Sequence, residues 1–375
     1  MEQLIKELLT AYGFVPASMK VTPIRKGRIH DSYLVEHVDE PGPPLVLQKM
    51  NHHVFRDIPG LMKNMELVSG HIAFKNRKAG KDPARNGILL LEAEGGKSYV
   101  GNDESGYWRM FWFIEDQKSY EIASNENIAF EGGKAIAHFQ AMLTDLDPEK
   151  IGDTIPGFHN LDERVSQLKD AIAHAPAERL GKAGSMIELA EKHLTPVAEL
   201  YASSKNGEVP VRIIHNDTKF NNILFSREDT ATCLIDLDTV MKGYAWFDFA
   251  DALRTCASLA TEEETDMEKV GFDIAIFRAL TRGYLSEAHR FLTKDEQDLL
   301  HLAPMAFAYL QATRFLADYL DGDVYYKTTR KDQNLTRTVN QFTLLQSILD
   351  QQEEMRRIVK NVLDELLTHQ DTEMQ

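Results

Sequence analysis

The chain has 375 residues, 43% of them hydrophobic and 27% charged, an ordinary globular composition that allows two domains sharing a cleft or one large domain. Its formal net charge of −16 argues against broad electrostatic attraction to nucleic acid or to an anionic membrane surface. Two cysteines, Cys233 and Cys256, are too few for a disulfide framework or a cysteine-based zinc site, and they fit a reducing, cytoplasmic setting.

The first stretch, MEQLIKELLTAYGF, carries Glu2, Lys6 and Glu7 where a signal peptide would be apolar, and reads as an amphipathic helix stopped by Gly13. No apolar run approaches the roughly 20 residues that a membrane span needs. Val21 to Ile24 and Ser32 to Glu36 read as two strands joined across Lys26-Gly27-Arg28, and Pro41-Gly42-Pro43-Pro44 turns the chain into a third, Leu45 to Met50. From Pro59 to Lys78 the apolar residues Leu61, Met62, Met65, Val68 and Ile72 recur at helical spacing. Gly87 to Ala93 and Tyr107 to Glu115 then read as further strands.

Beyond about Ser124 the pattern becomes helical, with segments at Asn125 to Leu143, Leu161 to Ala173 and Gly184 to Ser203. Two short apolar strands interrupt the helices around Arg212 to Leu224 and Thr232 to Met241. Helices resume at Phe247 and end in a charged helix, Leu344 to Leu367. Strands first and helices later, with a division near residue 118, predict an α+β molecule of two lobes with a cleft between them.

The two interrupting strands end in polar cargo. The first delivers His215, Asp217, Lys219 and Asn222; the second delivers Asp236 and Asp238. A carboxylate, a cation and further oxygen ligands are what phosphoryl transfer requires. Asp217 reads as the base for an attacking hydroxyl, although an Asp there also suits a turn. Asn222 and Asp236 read as Mg²⁺ ligands that face one another if Ile223 and Leu234 share a hairpin. Lys219 is placed to neutralise a phosphoryl group, or is a surface lysine. Asp238 is either a substrate or metal contact or a structural carboxylate. His215 reads as a structural histidine that hydrogen-bonds the loop.

The pattern His215-x-Asp217-x-x-x-x-Asn222, followed by Ile235-Asp236, resembles the kinase-like phosphotransferases that include aminoglycoside phosphotransferases and choline kinases. The strings HNDTKFNNILF, IDLDTVM, FDFADALR (Phe247 to Arg254) and RFLADYLDGDVYY (Arg314 to Tyr326) are closer still to the N-acetylhexosamine 1-kinases. LQKMN (Leu47 to Asn51) and NMELV (Asn64 to Val68) extend that similarity over nearly the whole chain.

The resemblance implies a protein-kinase-like fold with a small antiparallel β lobe, residues 1–117, and a large helical lobe, residues 118–375. ATP would lie in the β lobe under the hairpin with Gly27, near Gln48, Glu66 and the linker residues Phe113 and Glu115. Asp217 would be the base, with Asn222 and Asp236 on Mg²⁺. The resemblance further implies transfer of the γ-phosphate to the anomeric hydroxyl of an N-acetylhexosamine, with Arg28, His30, Asp238, Arg314 and Tyr325 toward the sugar.

One departure stands out: Gln48 occupies the position where kinases usually place a lysine, with Lys49 beside it. Strand alternation lets only one of the two face the nucleotide, and Gln48 reads as a neutral partner of a phosphate or of Glu66. Arg314 and Asp318 are also spaced for a plain i,i+4 ion pair. Two rivals remain open on sequence: a kinase of another small alcohol, such as choline, homoserine or an aminoglycoside, and a catalytically silent kinase-like binding protein. Epimer preference and the choice between monomer and homodimer are open as well.

Overall fold

A computed structural model describes residues 2–24, 29–38, 41–206 and 209–373, with side chains described through residue 368. Helix α1 (Glu2–Ala11) ends as expected at Gly13, whose φ of 79° turns the chain toward the first strand. A five-stranded antiparallel sheet follows, built from β1 (Met19–Ile24), β2 (Asp31–His37), β3 (Leu45–Met50), β4 (Tyr99–Asn102) and β5 (Gly106–Trp112) in the order β1-β2-β3-β5-β4. Helix α2 (Ile58–Lys78) separates β3 from β4, and its start is capped by the Asp57 side chain accepting from Gly60 N at 2.9 Å.

Alternation divides β3 cleanly between two faces. Leu45 and Leu47 pack with Leu8, Leu9, Tyr12, Trp108 and Met110 beneath α1. Lys49 shares that face, its ammonium 5.9 Å from the Trp108 ring centre. Gln48 and its cross-strand partner Arg109 lie on the other face, toward α2.

The stretch Gly87 to Ala93 is not a strand. Leu91 N donates to Met110 O and Trp112 N to Leu89 O, so this segment lies beside the far half of β5 only. The near half, Gly106 to Arg109, is paired with β4, which leaves too little free edge for a regular strand at 87–93. Strand β5 also stops at Trp112, short of the expected Glu115.

The helical lobe contains α3 (Glu126–Met142), α4 (Leu161–His174) and α5 (Ala177–Lys205), then the short strands β6 (Arg212–Ile214), β7 (Ile223–Phe225), β8 (Ala231–Leu234) and β9 (Met241–Gly243). Helices α6 (Ala245–Cys256), α7 (Ile274–Ala288), α8 (Lys294–Leu299), α9 (Ala303–Leu320), α10 (Gln333–Asp350) and α11 (Gln352–Glu373) complete it. Helix α5 begins at Ala177 rather than Gly184 and runs through Pro196. The expected final helix is two helices that change at Gln351, whose amide donates to Phe272 O at 2.8 Å and fixes the break. The apolar core of this lobe continues into α2 and to Met50 and Phe55 of the sheet lobe. One core therefore runs across the expected boundary near residue 118 through α2, while the cluster beneath α1 stays within the sheet lobe.

Helices α3 and α7 cross almost backbone to backbone. A Cβ at Gly133 would enter the envelope of the Leu280 carbonyl oxygen and sit 2.9 Å from Tyr284 N, and one at Gly283 would meet the Phe130 carbonyl. Neither obstacle is a side chain that can swing away. Gly133→Ala is therefore expected to destabilise the protein by about 1–3 kcal/mol through overpacking, visible as a lower midpoint in thermal denaturation followed by circular dichroism.

Candidate active site

Strands β6 and β9 pair in the register Ile214↔Met241, and the chain leaving β6 enters a tight loop at His215. Buried Asp248, near the start of α6, accepts from His215 N at 2.9 Å and Asn216 N at 2.7 Å. Gln140 Nε2 donates to the same carboxylate at 3.0 Å and is itself oriented by the Tyr284 hydroxyl at 2.7 Å. Burial pushes the Asp248 carboxyl up, and these donors work against that rise. The arrangement holds Asn216 in the left-handed region, φ 64°, and so aims the next residue, Asp217, out of the loop.

His215 is structural, as its sequence context suggests. Its Nδ1 accepts from Asp217 N at 3.3 Å, which makes Nε2 the donor to Ile235 O at 2.9 Å. One imidazole thus ties the loop to the strand leading to Asp236.

The structure brings Asp217, Lys219, Asn222 and Asp236 together. Lys219 Nζ lies 3.1 Å from Asp217 Oδ2, and Asn222 Nδ2 donates to Asp217 O at 2.8 Å and to Oδ2 at 3.2 Å. Strands β7 and β8 form the expected hairpin with Ile223 opposite Leu234, and Ile235 N donates to Asn222 O at 2.9 Å. Asp236 follows at once in a left-handed conformation, φ 65°, with its side chain open to solvent.

Electrostatics separates the carboxylates. Burial would raise Asp217, but the Lys219 ammonium holds it below the usual carboxylate range. The Asp217 charge in turn drives the Lys219 ammonium well above its ordinary value. Asp236 reaches solvent at the mouth of a crowded cleft, and that partial enclosure together with the charges of Asp238 and Asp217 pushes it up to about 6.

The roof of the site departs from expectation. Gln48 Nε2 donates to Ser32 Oγ at 2.9 Å while its Oε1 accepts from Arg109 Nε at 2.9 Å. Glu66 is exposed on α2 and accepts from the Ser98 hydroxyl, so Gln48 has Arg109 rather than Glu66 as its partner. Asp238, expected toward substrate, has both oxygens committed inside the protein. Arg109 grips it with Nη1 and Nη2, the latter at 2.6 Å, and His30 Nε2 reaches Oδ2 at 3.0 Å. His30 Nδ1 accepts from Asn51 N at 3.0 Å, so neither ring nitrogen of this expected sugar contact is spare. Gly27 and Arg28 lie outside the described residues.

Arg109 escaped the sequence reading. Its signal was one charged residue inside the aromatic strand Tyr107–Phe113, in register with Gln48.

Phe113 and Glu115 are exposed on the linker between lobes. Phe113 N donates to Pro44 O at 3.0 Å, and Lys118 exchanges two backbone hydrogen bonds with Phe225, at 2.9 and 2.8 Å. The linker is thereby fastened to the hairpin that carries Asn222.

On the helical side, the Arg314 guanidinium sits among aromatic rings, 5.1 Å from the Phe158 centre, 5.7 Å from Tyr326 and 6.0 Å from Tyr325. The alternative open on sequence, an ion pair with Asp318, does not form. Asp318 instead accepts from Tyr325 N at 2.7 Å and Tyr326 N at 3.0 Å, holding those rings in place. Among the described residues the guanidinium makes one long hydrogen bond, 3.5 Å to Gln311 Oε1, and it lies near enough to Asp217 to feel its charge.

The model of the phosphotransferase enzyme family matches residues 20–292, a span that includes the whole constellation from Gln48 to Asp248. The chain belongs to this phosphotransferase family. The phosphotransferase shares its fold with an aminopropanol kinase associated with a microcompartment, at 15% identity over 94% of this chain and 98% of that one, TM-score 0.59. It is similar in the same way to a choline kinase of Cryptosporidium parvum, at 14% identity over 97% and 99% of the two chains, TM-score 0.57. A spectinomycin phosphotransferase in complex with ADP and spectinomycin matches at 12% identity over 96% and 98%, TM-score 0.54. The fold is the kinase-like one, an antiparallel sheet lobe on a helical lobe.

The residues present suit a magnesium ion. Asn222 spends its amide nitrogen on Asp217, which leaves Oδ1 as the atom turned away, and Asp236 offers a solvent-facing carboxylate. Both are hard oxygen donors, and the surplus negative charge that raises Asp236 is what a divalent cation would offset.

The raised value has a consequence for stability. The ionised Asp236 is a burden on the folded state at neutral pH, though one eased by its exposure to solvent, so Asp236→Asn is expected to raise the melting temperature of metal-free protein at pH 7.5 by about 1 °C while abolishing turnover. In the unsubstituted protein the same burden lightens as pH falls through about 6, because the folded state takes up the proton before the unfolded chain does. Thermal melts in chelator between pH 7.5 and 5 check both outcomes.

Proposed function

We propose that this phosphotransferase moves the γ-phosphate of ATP onto the anomeric hydroxyl of an N-acetylhexosamine, giving the sugar 1-phosphate and ADP. The observation that carries the transfer is the Asp217 carboxylate, fixed by Asn222, kept ionised beside Lys219 and presented by a loop pinned to Asp248. Asp217 orients the acceptor hydroxyl and takes its proton as the new P–O bond forms, and Lys219 offsets the charge on the moving phosphoryl group. A carboxylate with a depressed pKa is a weak base, suited to a proton that becomes acidic only late in the transfer. Magnesium, held by Asn222 and Asp236, would supply charge neutralisation on the phosphate oxygens. Family membership and the similarity to alcohol-acceptor kinases, one of them with ADP, support ATP as donor and an alcohol as acceptor.

The choice of acceptor rests on Arg314. Phe158, Tyr325 and Tyr326 are the kind of rings that would cage an ammonium group, but they already surround a guanidinium. A cationic acceptor such as choline or an aminoglycoside would meet like charge there. A neutral sugar offers hydroxyl and acetamido oxygens to the guanidinium and a flat face to the rings. The resemblance to N-acetylhexosamine 1-kinases runs through Arg314, Tyr325 and Tyr326.

Purified protein assayed with ATP and a panel of N-acetylglucosamine, N-acetylgalactosamine, choline, homoserine and an aminoglycoside should turn over an N-acetylhexosamine, with phosphorus NMR placing the phosphate on the anomeric oxygen. Turnover of choline in preference to every sugar would refute the acceptor assignment. Asp217→Asn should lower kcat about 100- to 10,000-fold with ATP binding nearly unchanged by calorimetry. Arg314→Met should raise KM for the acceptor about tenfold or more while KM for ATP stays put; an unchanged acceptor KM would remove Arg314 from the acceptor site.

A further inference from the structure

Arg109 is among the largest fully buried side chains, and all its N–H groups face partners that few arginines have. Nε and Nη2 converge on Gln48 Oε1, Nη1 and Nη2 fork onto the Asp238 carboxylate, and Nη1 also lies 3.1 Å from Met65 Sδ on α2. Gln48 is on β3, Arg109 on β5, and Asp238 belongs to the helical lobe, in the single turn Leu237–Thr239 directly after Asp236. The ion pair therefore spans the lobes. Both members are about 2% exposed, so neither is a solvated surface partner whose loss would go unnoticed.

This geometry accounts for the glutamine at the position where a kinase lysine is expected. A lysine at 48 would bring an ammonium against the Arg109 guanidinium in a half-buried space where Asp238 is already forked by Arg109. A glutamine instead presents an oxygen that accepts two N–H groups, and its own amide is steadied by Ser32. The cation has moved from β3 to β5, and its carboxylate partner is in the opposite lobe rather than on α2.

We propose that Arg109 is a positioning residue for phosphoryl transfer: aimed by Gln48, it clamps the turn after Asp236 to the sheet lobe and so sets the spacing at which the donor phosphates meet Asp217. It touches no reacting atom. Its effect reaches the reaction through Asp238, the adjoining left-handed Asp236 and the β3–β5 pair above the cleft. The catalytic part of this inference rests on the kinase reading given above; the clamp itself does not.

The test is a charge relocation. Gln48→Met keeps the ion pair but removes the acceptor that aims it, and should lower kcat about tenfold with acceptor KM unchanged. Gln48→Lys and Arg109→Gln should each cost about 100-fold in kcat, the scale of a misplaced reacting group. The double variant Q48K/R109Q, with one cation and one amide restored, should recover at least about tenfold over either single change, a coupling that independent sites do not show. Hydrogen exchange of the Val240 amide, which closes the turn onto Leu237 O, should quicken in Gln48→Met and slow again toward the original rate in the double variant. Wild-type kcat in Gln48→Met and Gln48→Lys, or a double variant no better than Gln48→Lys, overturns the proposal. If Arg109→Gln fails to fold, the Gln48 variants and the double variant decide it. Should the unsubstituted protein phosphorylate no acceptor, the kinase reading fails, and unchanged Val240 exchange across the series would separately refute the clamp.

Discussion

A carboxylate buried without enough donors would be costly, and Asp248 escapes that cost only because the loop after β6 folds around it. Two consecutive backbone N–H groups point at one side chain, and Asn216 takes a left-handed conformation between them and Asp217. The residue after such a kink must leave in a new direction, and that residue is Asp217. Thr218 closes the loop from the other side by donating to the Asp248 carbonyl at 2.5 Å. The loop, the direction of Asp217 and the placement of Lys219 and Asn222 thus all depend on one acid at the start of α6.

Three aspartates in a small volume would ordinarily repel one another into similar, weakened acidity. Here each is given a different neighbour. Asp217 has an ammonium, Asp238 has a guanidinium fork that holds it far below the usual range, and Asp236 has neither and rises to about 6. The partners divide the labour: one group is kept ready for a proton, one is locked into the framework, and one is left needing a cation.

Much of this was legible in the chain itself. Helical spacing located α2, and Asn125 and Asn160 mark the starts of α3 and α4 because both serve as caps. The β7–β8 hairpin followed from two short apolar runs with polar ends. Pairing choices were not legible: nothing within Gly87 to Ala93 reveals that β4 takes half of the same edge of β5. Partners distant in sequence were hidden for the same reason. Asp238 and Arg109 are 129 residues apart, and only the assembled sheet lobe shows that they meet. Arg314 with Asp318 shows the converse: helical spacing left an ion pair open as an alternative, and only the fold shows that Asp318 is taken by the backbone at Tyr325 and Tyr326.

The backbone exchange between Lys118 and Phe225 makes the linker a third strand-like rung beside the β7–β8 hairpin. Arg109 with Asp238 is a second fastening, and α2 adds a third line of them: Asn64 Nδ2 donates to Gly152 O at 2.7 Å and to Val240 O at 3.2 Å, while His71 and Lys75 meet Asp145. Widening the cleft therefore means breaking polar contacts at the linker, at the turn after Asp236 and along α2, so its width is a property of the whole seam rather than of the linker alone.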